Sequence, residues 1–180
     1  AHASGREVSV LIEALNRAGG LKPVTQNMSA EQRRALLEEA AASGDPERGR
    51  EVFHRSATLC ATCHIIDGKG GKLGPDLSTV GTYMTPESLL ESLLNPSTDI
   101  KQGYETVLVS RKDGGVVSGL LQRKTESAML VRDPSGTVVR VPTDQIAKVD
   151  SSPVSLMPPG LTASLRRDEL VDLMRYMTGL

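Results

Sequence analysis

The residues best suited to chemistry in this chain are two cysteines and the histidine beside them. They stand as Cys60-Ala-Thr-Cys63-His64, and the sequence contains no further cysteine. This C-x-x-C-H spacing is that of covalent c-type haem attachment. Two thiols one helical turn apart can each add across one vinyl group of the porphyrin, while the next residue directs its imidazole at the iron. The spacing therefore predicts one haem c, attached through Cys60 and Cys63 and ligated by His64.

Other uses of a C-x-x-C pair fit the sequence less well. A zinc site needs four ligands, but the chain has no second cysteine pair, and the histidines outside the motif, His2 and His54, lack metal-ligand spacing. A thioredoxin-like redox pair needs a βαβ surrounding, which is absent here. A structural disulfide or a chance occurrence is the third alternative. Haem attachment is the favoured interpretation.

A glycine-rich stretch follows the motif and ends in Gly74-Pro75-Asp76-Leu77. It lacks the P-loop pattern of phosphate-binding loops, so a loop at the edge of a haem is the better interpretation. The N–H of a haem-ligating imidazole needs an acceptor that fixes the ring. The carbonyl of Pro75 is the predicted acceptor, and the side chain of Leu77 is predicted to pack on the porphyrin.

The second axial ligand of the iron is predicted to be Met157. Two prolines follow it and hold the loop stiff and extended, and a His/Met pair gives a low-spin iron with a raised reduction potential. Met174 and Met177 share a helical face with leucines, which indicates a core stripe, and Met129 lies in a strand-like run. The further competitors for this position are Met84, His2 and His54.

Helices on either side must position these residues. An N-capping aspartate and a proline at the first position predict a helix over 46–56, in which Gly49 and Phe53 share a face. Glycine inside a helix costs about 1 kcal/mol relative to alanine, so we expect another backbone to cross closely at Gly49. A last helix is predicted over 165–178, where Tyr176 either meets Gly49 or Phe53 or faces solvent.

The motifs together resemble a monohaem class I cytochrome c. They are, in chain order, Gly49-x₃-Phe53, Cys60-x₂-Cys63-His64, Gly74-Pro75-Asp76-Leu77, Met157-Pro158 and residues 168–176. The resemblance covers residues 44–100 and 151–180. It implies a mainly α cytochrome c fold around the haem, in which His64 and Met157 ligate the iron and the carbonyl of Pro75 accepts the imidazole N–H. It also implies that the first and last helices cross through the Gly/aromatic pair.

Residues 104–150 depart from the ordinary family. Alternating residues and tight turns predict five short strands, a small antiparallel β insertion similar to SH3-like or Sm-like barrels. Its basic residues are predicted to form mostly a solvated face. A packing or docking role is favoured for the insertion. The whole chain thereby resembles a narrower group of CxxCH haem-binding domains at the C-termini of large bacterial dehydrogenase-like multidomain proteins. That resemblance implies a redox partner protein or an upstream dehydrogenase domain.

The chain is thus predicted to have three parts: an N-terminal helical extension over 1–43, a haem domain over 44–103 and 151–180, and the β insertion over 104–150. One helix of the extension has Val8, Leu11, Leu15 and Ala18 on one face, and the other follows a capping box that begins at Ser29.

Charge and composition exclude several classes of protein. The 21 Lys+Arg against 22 Asp+Glu give a net charge of −1, which argues against nucleic acid or an anionic membrane as the main partner. No apolar run approaches the roughly 18 residues of a membrane span, and no secretion signal is seen. Because this type of haem maturation takes place outside the cytoplasm, we expect a periplasmic or otherwise exported protein.

The predicted function is the transfer of single electrons. A six-coordinate iron reorganises little and makes no bond to a substrate, so the protein is expected to be an electron carrier rather than an enzyme by itself. Two alternatives stay open: a haem-based gas sensor or peroxidase-like domain with an open distal site, and an interaction module with a structural haem. A peroxidase needs distal His/Arg acid–base groups, and no such pair is evident in the sequence.

Overall fold

The computed structural model describes residues 27–180. Its helices are α1 (Ala30–Ser43), α2 (Pro46–His54), α3 (Cys60–Cys63), α4 (Val80–Tyr83), α5 (Pro86–Leu94) and α6 (Arg167–Thr178). Its 3₁₀ turns cover Ser56–Thr58, Thr143–Gln145 and Leu161–Ser164. Its strands are β1 (Ile65–Ile66), β2 (Lys69–Gly70), β3 (Thr106–Arg111), β4 (Val116–Lys124), β5 (Ala128–Arg132), β6 (Val138–Pro142) and β7 (Ile146–Ser152). The described part thus combines helices with an antiparallel sheet, as predicted, and is mixed α/β as a whole.

Contacts divide this part of the chain into two compact units. The helical unit joins the residues up to Cys60 with Thr79–Leu94 and Pro159–Leu180. The sheet unit joins Ala61–Ser78 with Asn95–Pro158. The predicted three-part organisation of the whole chain stays a prediction.

In the helical unit, α2 and α6 cross at Gly49. A Cβ atom on Gly49 would lie 2.0 Å from the carbonyl oxygen of Asp172 and 2.7 Å from the Cβ of Tyr176, so only glycine fits without displacement. The rings of Phe53 and Tyr176 meet edge to face with centroids 6.1 Å apart. The predicted close crossing and the predicted partners of Tyr176 are both confirmed.

The ends of the helices follow local hydrogen bonds. The capping box of α1 is present, because the Ser29 hydroxyl accepts from the Gln32 N–H at 3.2 Å and the Ser29 N–H donates to the Gln32 side chain at 2.8 Å. The last helix begins at Arg167, two residues later than predicted, because Leu161–Ser164 forms a separate 3₁₀ turn. The predicted helix carrying Val8 and Leu11 lies outside the described residues.

A buried carboxylate joins α6 to the beginning of α2. Asp172, 3% exposed, accepts from the Asp45 N–H at 2.8 Å and from Nε and Nη2 of Arg48 at 2.7 and 3.1 Å. Burial pushes the pKa of Asp172 up, but the hydrogen bonds from Arg48 and Asp45 outweigh it and hold the pKa below its ordinary value. Nearby, Glu169 accepts from Nη2 of Arg55 at 2.7 Å. These pairs stabilise contact between elements more than a hundred residues apart in sequence.

The sheet unit contains five antiparallel strands in the order β6-β5-β4-β3-β7. The five strands predicted over residues 104–150 are thus present. Alternate residues point to one face, as the period of two requires, and there they form a small apolar core. Its buried members are Val107, Val109, Met129, Val131 and Val141. The same unit holds the short hairpin of β1 and β2.

Replacing Gly49 by alanine tests the helix crossing. We expect Gly49→Ala to destabilise the haem-loaded protein by about 1–3 kcal/mol, because the new methyl group must push α6 away. Thermal unfolding followed by circular dichroism should show a midpoint lower by roughly 3–10 °C. The control is Gly179→Ala, whose Cβ would meet its nearest atoms at 3.5 Å, an ordinary contact. Equal midpoints for the two variants would contradict the crossing.

Replacing Asp172 by asparagine tests the buried carboxylate through pH. Because the folded pKa lies below the unfolded one, the contribution of Asp172 is complete above the unfolded pKa, about 3.9, and is lost as the pH falls through the folded pKa. We expect Asp172→Asn to lower stability at neutral pH by about 2 kcal/mol and to flatten the acid loss measured by thermal unfolding. Asp144→Asn, at an exposed carboxylate, should leave both unchanged. An acid profile parallel to that of the unchanged protein would exclude this role.

Candidate haem-binding site

The attachment motif occupies a single helical turn. Helix α3 runs from Cys60 to Cys63, so the two thiols lie one turn apart, and both are half-buried and form no disulfide. Leu59 precedes the helix in the left-handed region with φ of 60°, and this conformation ends the Ser56–Thr58 turn. Burial raises the pKa of the Cys63 thiol. Cys60 and Cys63 on this turn would hold a haem covalently, with His64 beside them as the iron ligand.

The glycine-rich loop supplies the hydrogen bonds that so short a helix cannot make for itself. The Gly71 N–H donates to the carbonyl of Ala61 at 3.0 Å, and the N–H groups of Leu73 and Gly74 donate to the carbonyl of Cys63 at 3.1 and 2.7 Å. The last carbonyls of a helix have no partner within it, so these bonds satisfy groups that would otherwise need water. The loop and the attachment turn are therefore held together by backbone hydrogen bonds.

Close packing explains the glycines of this loop. A Cβ atom on Gly71 would lie 1.7 Å from the carbonyl oxygen of Thr62, and one on Gly70 would lie 2.0 Å from that of His64. A Cβ atom on Gly74 would lie 2.5 Å from Cε1 of the His64 imidazole. The sequence predicts a loop here but not this role of its glycines, for which their density next to the motif is the available signal.

The imidazole of His64 is fixed by the loop that it precedes. Its Nδ1 lies 2.9 Å from the carbonyl oxygen of Pro75, which is the predicted acceptor. Burial lowers the pKa of His64 and the hydrogen bond to Pro75 opposes this, so that the pKa lies below its ordinary value. The neutral ring then carries its proton on Nδ1 and its lone pair on Nε2, which is the form that binds a metal.

A parallel bridge holds the proline segment beside the motif. Ile65 pairs with Asp76, and the Leu77 N–H donates to the carbonyl of Ile65 at 2.8 Å. Leu77 is buried within the sheet unit. The structure thus brings His64, Pro75 and Leu77 together, while the contact of Leu77 with a porphyrin stays a prediction.

Met157 lies in the sheet unit, on a half-buried segment distant in sequence from the motif. Its N–H donates to the Ser155 hydroxyl at 3.1 Å, and the Ser155 N–H donates to the Ser97 hydroxyl at 3.1 Å. Its role as an iron ligand stays a prediction. Among the competing residues, Met129 belongs to the core of the sheet, and His54 is exposed with its ring against Phe53.

Two further competitors lie in the helical core, where Met174 is 0% and Met177 is 5% exposed. Met84 is half-buried directly after α4. His2 lies outside the described residues.

The residues of the motif fit a covalent haem rather than another metal site. Two thiols on one turn would offer the two attachment points, and an imidazole whose Nδ1 is hydrogen-bonded to a carbonyl would offer one iron ligand. Within residues 27–180, no group of three or more His, Cys, Asp or Glu side chains is placed to hold a metal ion. No helix in the same range is long and apolar enough to cross a membrane.

Comparison with known families supports this chemistry. Residues 46–110 match the family model described as Cytochrome c, a segment that begins with α2, contains the attachment motif and the glycine-rich loop, and ends within β3. A search of curated proteins gives no significant match. The match supports a cytochrome c domain over this segment, and the cofactor of that family is covalently bound haem c with its iron. Such domains are generally electron carriers and typically exported.

Replacing Gly71 by alanine tests the packing of the loop on the attachment turn. We expect Gly71→Ala to lower the fraction of protein that carries covalent haem, because a methyl group 1.7 Å from the Thr62 carbonyl must displace the turn, at a cost of about 1–3 kcal/mol. The measurement is haem absorbance per protein after denaturation in alkaline pyridine.

The control for this measurement is Gly68→Ala in the same loop. Gly68 has φ of 75° but no atom within 4 Å of a built Cβ, so this substitution brings backbone strain without a collision. Near-full haem content in Gly68→Ala and reduced content in Gly71→Ala is the expected result. Full content in both variants would contradict the role given to the close packing.

Proposed function

We propose that the chain is an electron-transfer module with one haem attached through Cys60 and Cys63 and ligated by His64 and Met157. The observation that carries the proposal is the His64 imidazole, anchored at Nδ1 by the Pro75 carbonyl and enclosed by the glycine-rich loop. Bound haem supplies a one-electron iron couple. The protein's part is to hold that couple in a fixed environment.

The anchored imidazole supports electron transfer in two ways. Its ring orientation is fixed by the Pro75 carbonyl, so little reorganisation accompanies a change of oxidation state. Its hydrogen bond to the Pro75 carbonyl also makes Nε2 a stronger electron donor to the metal. The loop also packs tightly against this ring, since a Cβ atom at Gly74 would lie 2.5 Å from its Cε1.

The competing methionines support Met157 as the sixth ligand. Met129, Met174 and Met177 are buried in apolar cores of their own units, where their thioethers already serve packing. The segment of Met157 instead bends at Leu156 and Met157, just before two prolines, and is tied down through Ser155 and Ser97. A thioether held this way binds iron with little loss of freedom.

The proposal also covers the class of the sheet, the larger protein that contains the module, and the source of its electrons. We assign the five-stranded sheet to the SH3-like or Sm-like class, which its order β7-β3-β4-β5-β6 and the 3₁₀ turn between β6 and β7 support. The module belongs to the CxxCH domains of larger exported proteins. Its electrons come from a redox partner protein or an upstream dehydrogenase domain, in the periplasm or another exported compartment.

Replacing Met157 by alanine tests the sixth ligand. In the unchanged protein we expect sharp low-spin ferrous bands that do not change under carbon monoxide. Met157→Ala should bind the gas readily and show a lower reduction potential, because loss of the thioether opens the iron and removes a ligand that favours the ferrous state.

The control for this experiment is Met84→Ala, the half-buried competitor nearest the motif in sequence. It should keep the closed, low-spin spectrum. If Met84→Ala binds the gas and Met157→Ala keeps the closed, low-spin spectrum, Met84 is the sixth ligand instead. Ready gas binding by the unchanged protein would favour a gas sensor or peroxidase-like domain with an open distal site.

A further inference from the structure

One face of the sheet carries three arginines at the end formed by β4, β5 and β6. The strand register pairs Arg123 with Leu130 and Leu130 with Arg140. Arg132 lies two residues beyond Leu130 on the same strand. Residues paired across antiparallel strands share a face, and so do alternate residues of one strand. The three arginines therefore project from the face opposite the buried Met129, and they surround Leu130.

The charges of these arginines are not balanced by carboxylates. The terminal nitrogens of Arg132 donate to the carbonyl of Gly136 at 3.1 Å and to the side chain of Gln122 at 3.2 Å, and both acceptors are neutral. Arg123 and Arg140 are exposed, and neither has an ion pair with any residue in the described range. Elsewhere in this range carboxylates pair with Arg33, Arg48, Arg55, Arg166 and Arg167. The arginine face, defined by Arg123, Arg132 and Arg140, is thus a concentration of unpaired positive charge in a chain of net charge −1.

The arginine face also has an accessible apolar part. In the row of paired residues that contains Arg132, Thr106 and Leu120 are buried, at 4% and 2% exposure. Two other apolar side chains beside the arginines are accessible: Leu130 is half-buried, and Val138, paired with Arg132, is 44% exposed. β6 is an edge strand, so this region is open from the side as well. Apolar side chains among arginines are typical of protein–protein interfaces, in which arginine is enriched and lysine depleted.

We propose that the arginine face docks an acidic segment of a partner protein. Carboxylates of that segment would pair with the guanidinium groups, whose planar forks suit two-point binding, while its apolar atoms cover Leu130 and Val138. A nucleic acid fits this face less well, because no residue of β3–β7 is aromatic and base stacking has no platform. The proposal rests on the strand register and the unpaired charges, and does not depend on the ligation of the haem.

The test measures binding of a fluorescein-labelled poly-glutamate peptide to the haem-loaded protein by fluorescence anisotropy. The variants are Arg123→Glu and Arg140→Glu. The matched control is Lys112→Glu, which makes the same change of charge at an exposed position in the β3–β4 turn. We expect the peptide to bind, each arginine variant to bind it roughly threefold to tenfold more weakly, and Lys112→Glu to change binding by less than about twofold. An unchanged circular dichroism spectrum shows that each variant is folded.

Several results would overturn the proposal. Absence of peptide binding at low salt is one, and equal weakening in Lys112→Glu is another, since it would indicate general attraction without a site. A single-stranded oligonucleotide of the same charge that binds more tightly than the peptide would assign the face to nucleic acid instead. Failure of the Met157→Ala experiment leaves these results unaffected, so the two proposals fail separately.

Discussion

The hydrogen bond from Nδ1 of His64 to the carbonyl of Pro75 is the constraint on which the site depends. It exists because α3 is too short to satisfy its own carbonyls, so the loop after it folds back and donates its N–H groups to them. That approach is possible only where side chains are missing, at Gly70, Gly71 and Gly74. The hydrogen bonds that cap α3 thus also fix the orientation of His64, because the loop that makes them places the Pro75 carbonyl beside the imidazole.

In the helical unit, too, a glycine allows a close approach that hydrogen bonds then fix, here between parts of the chain that are distant in sequence. Gly49 lets α2 approach the backbone of α6, and the buried Asp172 then accepts the free N–H of Asp45 and the guanidinium of Arg48. A buried carboxylate without partners would be costly, so these groups hold a single alignment of the two helices. Arg55, five residues ahead of Cys60, is tied to α6 through Glu169 in this unit. The segment that leads into the attachment motif is therefore fixed by the same pair of helices.

Local patterns in the sequence carried most of what could be predicted. The C-x-x-C-H turn, the capping box at Ser29 and the alternation in the five strands each involve neighbouring residues, so their spacing alone determines them. The pairing of Arg55 with Glu169 spans 114 residues and leaves no periodic signal. The resemblance predicts helices around the haem segment and the alternation over 104–150 predicts the sheet, so the described part as a whole is mixed α/β. The loop glycines are needed because a Cβ atom there would collide with the attachment turn or the His64 ring. The sequence cannot predict this collision, because it depends on where the neighbouring backbone lies.

The arginine face shows how a small irregularity changes what a surface can do. In a regular strand Leu121 and Arg123 would lie on one face, because side chains alternate with a period of two. The register of β4 shifts between these two residues, so Leu121 pairs with the buried Val131 and Arg123 pairs with Leu130. A bulge of this kind re-aims the side chains that follow it. It moves Arg123 from the side of the apolar core to the face of Arg132 and Arg140, so a stretch whose basic residues read as scattered solvent-facing charges becomes a concentrated patch. Charge repulsion among three arginines opposes this arrangement, and an acidic partner would remove that repulsion on binding.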